Sequence, residues 1–257
     1  MNASAPLQGL RVLVTRPAAQ ADALCRLLEA RGAQVQRLPL QAIEPVRQPA
    51  LAARALAGMR DAVAWIFTSA NAVRYAQQLD AGVWPATVAV GAATAAALER
   101  LGHAPLVPAQ DFSTEGLLEM PELQDLAGRR VAVISGEGGR EALAPALRAR
   151  GAEVERIAVY RRVPLPHDAD AVARALAQAD ALVVTGGEAL AQLLQLAPAA
   201  ERPHLLGLQL VVPSRRVVEQ ARQLGFGREP LVPDQVADAA FVRCLEAWRR
   251  ADNKFMQ

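Results

Sequence analysis

The chain has 257 residues, room for one large or two ordinary domains, and 52% of them are hydrophobic, enough for two buried cores. Only 4% are aromatic, so those cores must lean on Ala, Leu and Val. A formal net charge of +2 without a long basic run excludes the strongly basic surface that nucleic-acid binding needs, yet permits a locally positive cleft for an acidic ligand.

The opening MNASAPLQGL has neither a basic segment nor a long apolar stretch, so no signal peptide is expected, and the longest apolar run, 62–67, is far too short to span a bilayer. A soluble, cytoplasmic protein is expected, with no membrane and no nucleic-acid partner. Short apolar runs then alternate with helical patterns. Strand 11–14 precedes helix 18–31, strand 64–68 helix 71–79, strand 88–90 helix 94–101, and strand 130–134 helix 141–150. Strand 181–185 precedes helix 188–196, and strand 209–212 is followed by helices 216–224 and 237–248. Four helical patterns stop at Gly32, Gly102, Gly151 and Gly225, placed for left-handed C-caps. Strands this short and this apolar are parallel strands covered on both faces, so the pattern predicts parallel sheets flanked by helices.

The chain is internally duplicated. RVLVTRPAAQADALCRLLEARGAQVQRLPL at 11–40 aligns without a gap on RVAVISGEGGREALAPALRARGAEVERIAV at 130–159. IFTSANAV at 66–73 answers VVTGGEAL at 183–190, and the segment 88–108 answers 210–233, both closing on LVP. A repeat this long is a duplicated domain, and two similar lobes imply a cleft in which to seek function. The connectors 38–49 and 157–166 occupy the same place in both copies, end in proline and read as extended. One runs out and one back, so they can pair as a two-stranded ribbon joining the lobes, in which case repeat and domain boundaries differ.

No strong catalytic motif is present. Residues 136–141 are glycine-rich after a strand but lack the third glycine of a dinucleotide fingerprint, and no phosphate loop occurs. His103, His167 and His204 are scattered without metal-ligand spacing and read as structural or solvated. Cys25 and Cys244 sit inside helical apolar patterns and read as buried thiols. What recurs is a small or hydroxyl residue after each strand: Thr15-Arg16, Thr68-Ser69, Gly91, Ser135-Gly136, Thr185-Gly186-Gly187 and Ser214-Arg215. Singly, each caps a helix. Together, at the carboxyl ends of parallel strands, they can line a site of hydroxyls and backbone donors for a large polyanion.

In that order, RVLVTRP at 11–17, IFTSANAV at 66–73, VAVGAATAAAL at 88–98, VYRRVP at 159–164 and VVPSRRVVEQARQLGF at 211–226 resemble the uroporphyrinogen-III synthase family, over residues 10–247. The resemblance implies two α/β lobes joined by a two-stranded ribbon: residues 1–40 with 167–257 as the first lobe, 46–160 as the second, and 41–45 with 161–166 as the ribbon. It implies a hydro-lyase that closes the linear tetrapyrrole hydroxymethylbilane with inversion of ring D, through an azafulvene and a spiro intermediate, without metal or organic cofactor. A monomer is expected, receiving substrate by transient hand-over from hydroxymethylbilane synthase. The alternative is a non-catalytic two-lobed module for an anionic ligand.

By the same resemblance Tyr160, on the returning connector and facing the cleft, is the catalytic candidate, because a phenol protonated at neutral pH can donate to the leaving hydroxyl. Packing against the ribbon is the other reading of Tyr160. Substrate-binding candidates are Arg16, Thr68, Ser69, Gly91, Thr94, Ser113, Gly116, Ser135, Gly136, Thr185, Gly186, Ser214 and Arg215, with a structural ion pair the alternative for Arg16.

Overall fold

The computed structural model of the chain describes residues 5–108, 114–139 and 142–255. Its contacts divide into two units, Met1–Ala42 with Val163–Gln257, and Ile43–Arg162. The first unit opens with β1 (Arg11–Val14), α1 (Ala18–Glu29) and β2 (Gln34–Arg37), and the chain leaves it within β3 (Gln41–Pro45). The second unit continues with α2 (Pro49–Gly58), β4 (Ala64–Phe67), α3 (Ala70–Leu79), β5 (Thr87–Ala89), α4 (Ala92–Glu99) and α5 (Thr114–Leu118). A 3-10 turn at Pro121–Leu123, β6 (Arg130–Gly136), α6 (Leu143–Ala149) and β7 (Glu153–Pro164) follow. The chain then returns to the first unit with α7 (Ala169–Ala177), β8 (Ala181–Val183), α8 (Gly187–Leu196), α9 (Arg202–Gly207), β9 (Gln209–Val211), α10 (Arg215–Gln223) and α11 (Asp238–Phe255).

Strands β1, β2, β8 and β9 in one sheet and β4, β5, β6 and β7 in the other pair in parallel and are covered on both faces. The first sheet has the order β2-β1-β8-β9, the second β3-β7-β6-β4-β5. Side chains alternate across these strands as period two requires. Val12 and Val14 pack with Leu24, Leu28 and Phe241 on one face, while Leu13, Leu182 and Leu210 pack with Leu190, Leu193 and Val217 on the other. In the second unit Trp65 and Phe67 meet α2, α3 and α4 through Leu56, Val73 and Leu98, and Ala64 and Ile66 meet Leu117 and Leu147.

The four helix-stopping glycines, Gly32, Gly102, Gly151 and Gly225, all adopt positive φ, 82–89°. That is the left-handed region in which a Cβ would clash, so these stops could be read from sequence. Three things differ from the sequence reading. Pro49 starts α2 rather than ending an extended connector, because proline at the first helical position gives up no intrahelical bond. The short helices α5 and α9 carry too few turns to imprint a period on the sequence, whereas α7, as long as α10, buries Val172, Ala175 and Leu176 on one face and is a helix the sequence reading omitted. Finally, β7 is one strand of 12 residues that runs straight through the predicted connector start.

Candidate active site

The carboxyl ends of parallel strands and the free N–H groups of the following helices share one edge of each sheet. In the second unit Thr68 closes that edge: its N–H and hydroxyl donate to the Ile134 carbonyl at 3.1 and 3.2 Å. Thr15 does the same in the first unit, donating to the Val183 carbonyl at 3.3 and 3.2 Å. Ser69 caps α3, its Oγ accepting from the Ala72 N–H at 3.1 Å, which supplies a partner for one of the helix's free donors.

Tyr160 reaches this serine because β7 is bulged. The register with β6 runs Ser135 to Ala158 and then Gly136 to Tyr160, leaving Val159 as the extra residue. A bulge breaks alternation, so Val159 and Tyr160 both turn into the core that holds α3. Rather than facing a cleft, Tyr160 is 2% exposed. Its ring stacks on Tyr75 with centroids 5.9 Å apart, and Tyr75 itself is fixed by donating to the Ile43 carbonyl at 2.8 Å. A Cβ at Gly136 would lie 2.6 Å from Tyr160 Cζ, so glycine there is what admits the ring. Among the described residues the phenol oxygen is held by two groups, the Ser69 hydroxyl at 3.2 Å and an Arg162 guanidinium N–H at 3.3 Å.

The other candidate positions are less uniform. Gly91 and Gly186 are the N-caps of α4 and α8 in extended backbone, φ −152° and −177°, and a Cβ at either would touch nothing. Packing therefore does not require glycine at these two positions. Gly187 is different, because a Cβ there would overlap the Gln220 side chain. Ser214 caps α10 without a side-chain hydrogen bond, and exposed Arg215 has no carboxylate partner among the described residues. Arg16 is engaged by Asp238, while its Nε is buried without a partner. Ser135 is buried and donates to the Gly136 carbonyl at 3.3 Å. Thr94 is buried in the first turn of α4, Gly116 is buried in α5, and Thr185 is partly exposed at the end of β8. Ser113 lies outside the described residues.

Sequence reading missed Tyr75 and Arg162. Nothing in the sequence brings Tyr75 to the site. Arg162 had a signal, since it stands two residues beyond Tyr160 on one strand and so shares its face.

The side chains more often used for catalysis are otherwise engaged. Burial pushes the Cys25 and Cys244 thiols up, against the nearby guanidinium charge of Arg37 and Arg243 respectively, so neither is set up as a thiolate. His103 stacks on Trp84 at 4.8 Å, His167 bonds the Pro39 carbonyl and His204 the Ala179 carbonyl. Among the described residues no group of three or more His, Cys, Asp or Glu could hold a metal ion, and no helix is long and apolar enough to cross a membrane.

The sequence profile described as Uroporphyrinogen-III synthase HemD matches residues 22–241. The chain is 35% identical over 248 residues to uroporphyrinogen-III synthase of Escherichia coli (strain K12), covering 92% of this chain and 100% of that one. It is 36% identical to the Salmonella typhimurium enzyme of the same name, again with 92% and 100% covered. Among solved structures, a mutant uroporphyrinogen III synthase from the extremely thermophilic bacterium Thermus thermophilus superposes with a TM-score of 0.63 at 23% identity, covering 96% of this chain and 100% of that one. Uroporphyrinogen-III synthetase from Helicobacter pylori 26695 superposes with a TM-score of 0.57 at 13% identity, covering 94% and 99%. These two likenesses concern the fold.

Proposed function

The chain belongs to the uroporphyrinogen-III synthase family, and from that premise we propose that it closes hydroxymethylbilane to uroporphyrinogen III and water, inverting ring D. The observation that carries the chemistry is the contact between the Tyr160 phenol and Ser69, which puts a hydrogen-bonded pair of hydroxyls at the strand ends. Pyrrole nitrogens supply the electronic push, so the protein's tasks are to assist departure of the ring A hydroxyl and to fold the chain so that the substituted carbon of ring D attacks. Tyr160 is the source of the proton in this reading. Arg16, Thr68, Ser69, Gly91, Thr94, Ser113, Gly116, Ser135, Gly136, Thr185, Gly186, Ser214 and Arg215 are the binding set, with Ser214, Arg215 and the open N-caps Gly91 and Gly186 the best presented to carboxylates.

We also assign the chain to the cytoplasm, where its free thiols Cys25 and Cys244 suit a reducing compartment. We assign it as a monomer that takes its labile substrate by hand-over from hydroxymethylbilane synthase. Sedimentation at the mass of one chain tests the former, and a substrate-channelling assay against an added trap the latter.

The decisive experiment generates hydroxymethylbilane in situ, adds the protein, oxidises the products and separates isomers I and III. Isomer III in proportion to protein establishes the activity. Isomer I alone, from folded protein, refutes it and returns the chain to a ligand-binding module. Within the active protein, Tyr160→Phe slows turnover by about a hundredfold or more if the phenol is the acid, and full retained activity reduces Tyr160 to packing.

A further inference from the structure

We propose that Arg162 is a positioning residue that sets the direction of proton donation between Tyr160 and Ser69, so that the hydroxyl meeting substrate is that of Ser69 and Tyr160 resupplies it. The proposal rests on the activity assigned above. Four observations carry it.

Tyr160 is too enclosed to meet a substrate itself. Its exposure is 2%, Gly136 and Tyr75 both lie close against the ring, and among the described residues its oxygen has Ser69 and Arg162 as partners. Ser69, by contrast, is partly exposed at the strand end.

The hydrogen-bond roles are constrained next. A guanidinium only donates, so the phenol oxygen accepts from Arg162 at 3.3 Å. Ser69 Oγ accepts from the Ala72 N–H at 3.1 Å. The remaining contact, Ser69 Oγ to Tyr160 Oη at 3.2 Å, carries one proton, and its direction decides which hydroxyl proton is left to point outward.

Arg162 biases that choice. Its guanidinium donates to the phenol and lies over the ring, 5.6 Å from the centroid. A cation donating to a phenol oxygen polarises the O–H and makes the phenol the better donor of the pair. Tyr160 therefore donates to Ser69, and the Ser69 proton is free for a ligand.

The adjacent arginine makes the contrast. Arg161 is neutralised by Glu44 at 2.6 Å, whereas Arg162 has no carboxylate partner among the described residues and keeps its charge for the phenol.

In the reaction, the ring A carbon–oxygen bond breaks with its electron pair going to oxygen, and that oxygen takes the Ser69 proton and leaves as water. Ser69 takes the Tyr160 proton, leaving a phenolate beside Arg162 and a cationic azafulvene. The proton lost when the last pyrrole regains aromaticity returns along the same path.

The test is a set of variants of the full chain in the isomer assay: Arg162→Gln, Arg162→Lys, Tyr160→Phe, Ser69→Ala, and Arg162→Gln combined with Tyr160→Phe. Arg162→Gln is expected to lower kcat about tenfold with KM within about twofold, and Arg162→Lys to recover part of the loss. In the Tyr160→Phe background Arg162→Gln should change nothing further, because its action runs through the phenol. Ser69→Ala should cost at least as much kcat as Tyr160→Phe, with circular dichroism confirming that α3 survives loss of its cap. Multiplicative losses for Arg162→Gln and Tyr160→Phe overturn the proposal, as does an Arg162→Gln effect confined to KM, which marks a carboxylate contact. A wild-type chain that makes no isomer III overturns the activity itself, a failure distinct from either.

Discussion

Gly136→Ala perturbs the candidate site through a single methyl. The backbone there is not in the positive-φ region, so alanine adopts it without conformational strain. The cost is steric, because the new Cβ would stand 2.6 Å from Tyr160 Cζ, 2.7 Å from Cε2 and 3.0 Å from the hydroxyl oxygen. Ordinary carbon–carbon contact is about 3.5–4.0 Å, so the ring must retreat by roughly 1 Å. Tyr75 is already stacked on that ring at 5.9 Å, in a core with little slack. Overpacking of this kind costs about 1–3 kcal/mol. A displacement of that size also carries the phenol out of range of Ser69 and Arg162, now at 3.2 and 3.3 Å. Stability can be followed by urea unfolding with tryptophan fluorescence, since Trp65 and Trp84 both lie in the second unit's core, ring centroids 5.3 Å apart. The expected result is a lower urea midpoint together with at least about a tenfold fall in kcat for isomer III, the scale of a displaced general acid. In a Tyr160→Ala background the same methyl meets no ring, so its stability cost should largely vanish. A Gly136→Ala protein with wild-type midpoint and rate would refute the argument that this glycine exists to seat Tyr160.

Gly186→Ala makes the opposite comparison: its Cβ touches nothing, so the change should cost about 1 kcal/mol at most, as for an alanine N-cap, while KM for hydroxymethylbilane rises several-fold if the open cap receives a carboxylate. An unchanged KM removes Gly186 from the binding set. Arg215→Glu should raise KM by about tenfold with little change in kcat, and the effect should shrink as salt screens the charge. An effect insensitive to salt argues against a charge contact. Asp180 is held below the usual carboxylate range chiefly by hydrogen bonds from the Arg11 side chain, which outweigh the effect of burial. Its folded value is depressed, so its stabilising contribution is full above the unfolded value of about 3.9 and is lost as pH falls through the folded one. Urea midpoints measured from neutral pH downwards should therefore fall below about pH 4, and less steeply in Asp180→Asn. An identical pH slope in the variant would show that the carboxylate is not the source.

Equivalent positions in the two units separate what the fold requires from what the chemistry requires. The first sheet, β2-β1-β8-β9, and four consecutive strands of the second, β7-β6-β4-β5, are built to one plan. Each takes a strand–helix–strand from one sequence copy and its other two strands from the other copy. Sequence made the duplication legible because apolar positions repeat, as Val12 and Val14 do in Val131 and Val133. It left the exchange of halves open because local periodicity does not encode which strands pair. The bulge at Val159 was hidden for the same reason, being a property of register rather than of residue type. Carried three residues past its end at 40 and 159, the first alignment sets Tyr160 opposite Gln41 and Arg162 opposite Ile43, and the second aligned segment sets Ser69 opposite Gly186. Strand-end hydroxyls and open helix caps thus occur in both units and belong to the shared plan. The enclosed phenol, hydrogen-bonded to a serine and a guanidinium, has Gln41, Gly186 and Ile43 as its counterparts in the other copy, so duplication of the scaffold does not account for it. On the function proposed above, that asymmetry fits proton donation from the second unit's strand ends, with Gly186, Ser214 and Arg215 in the first proposed to bind.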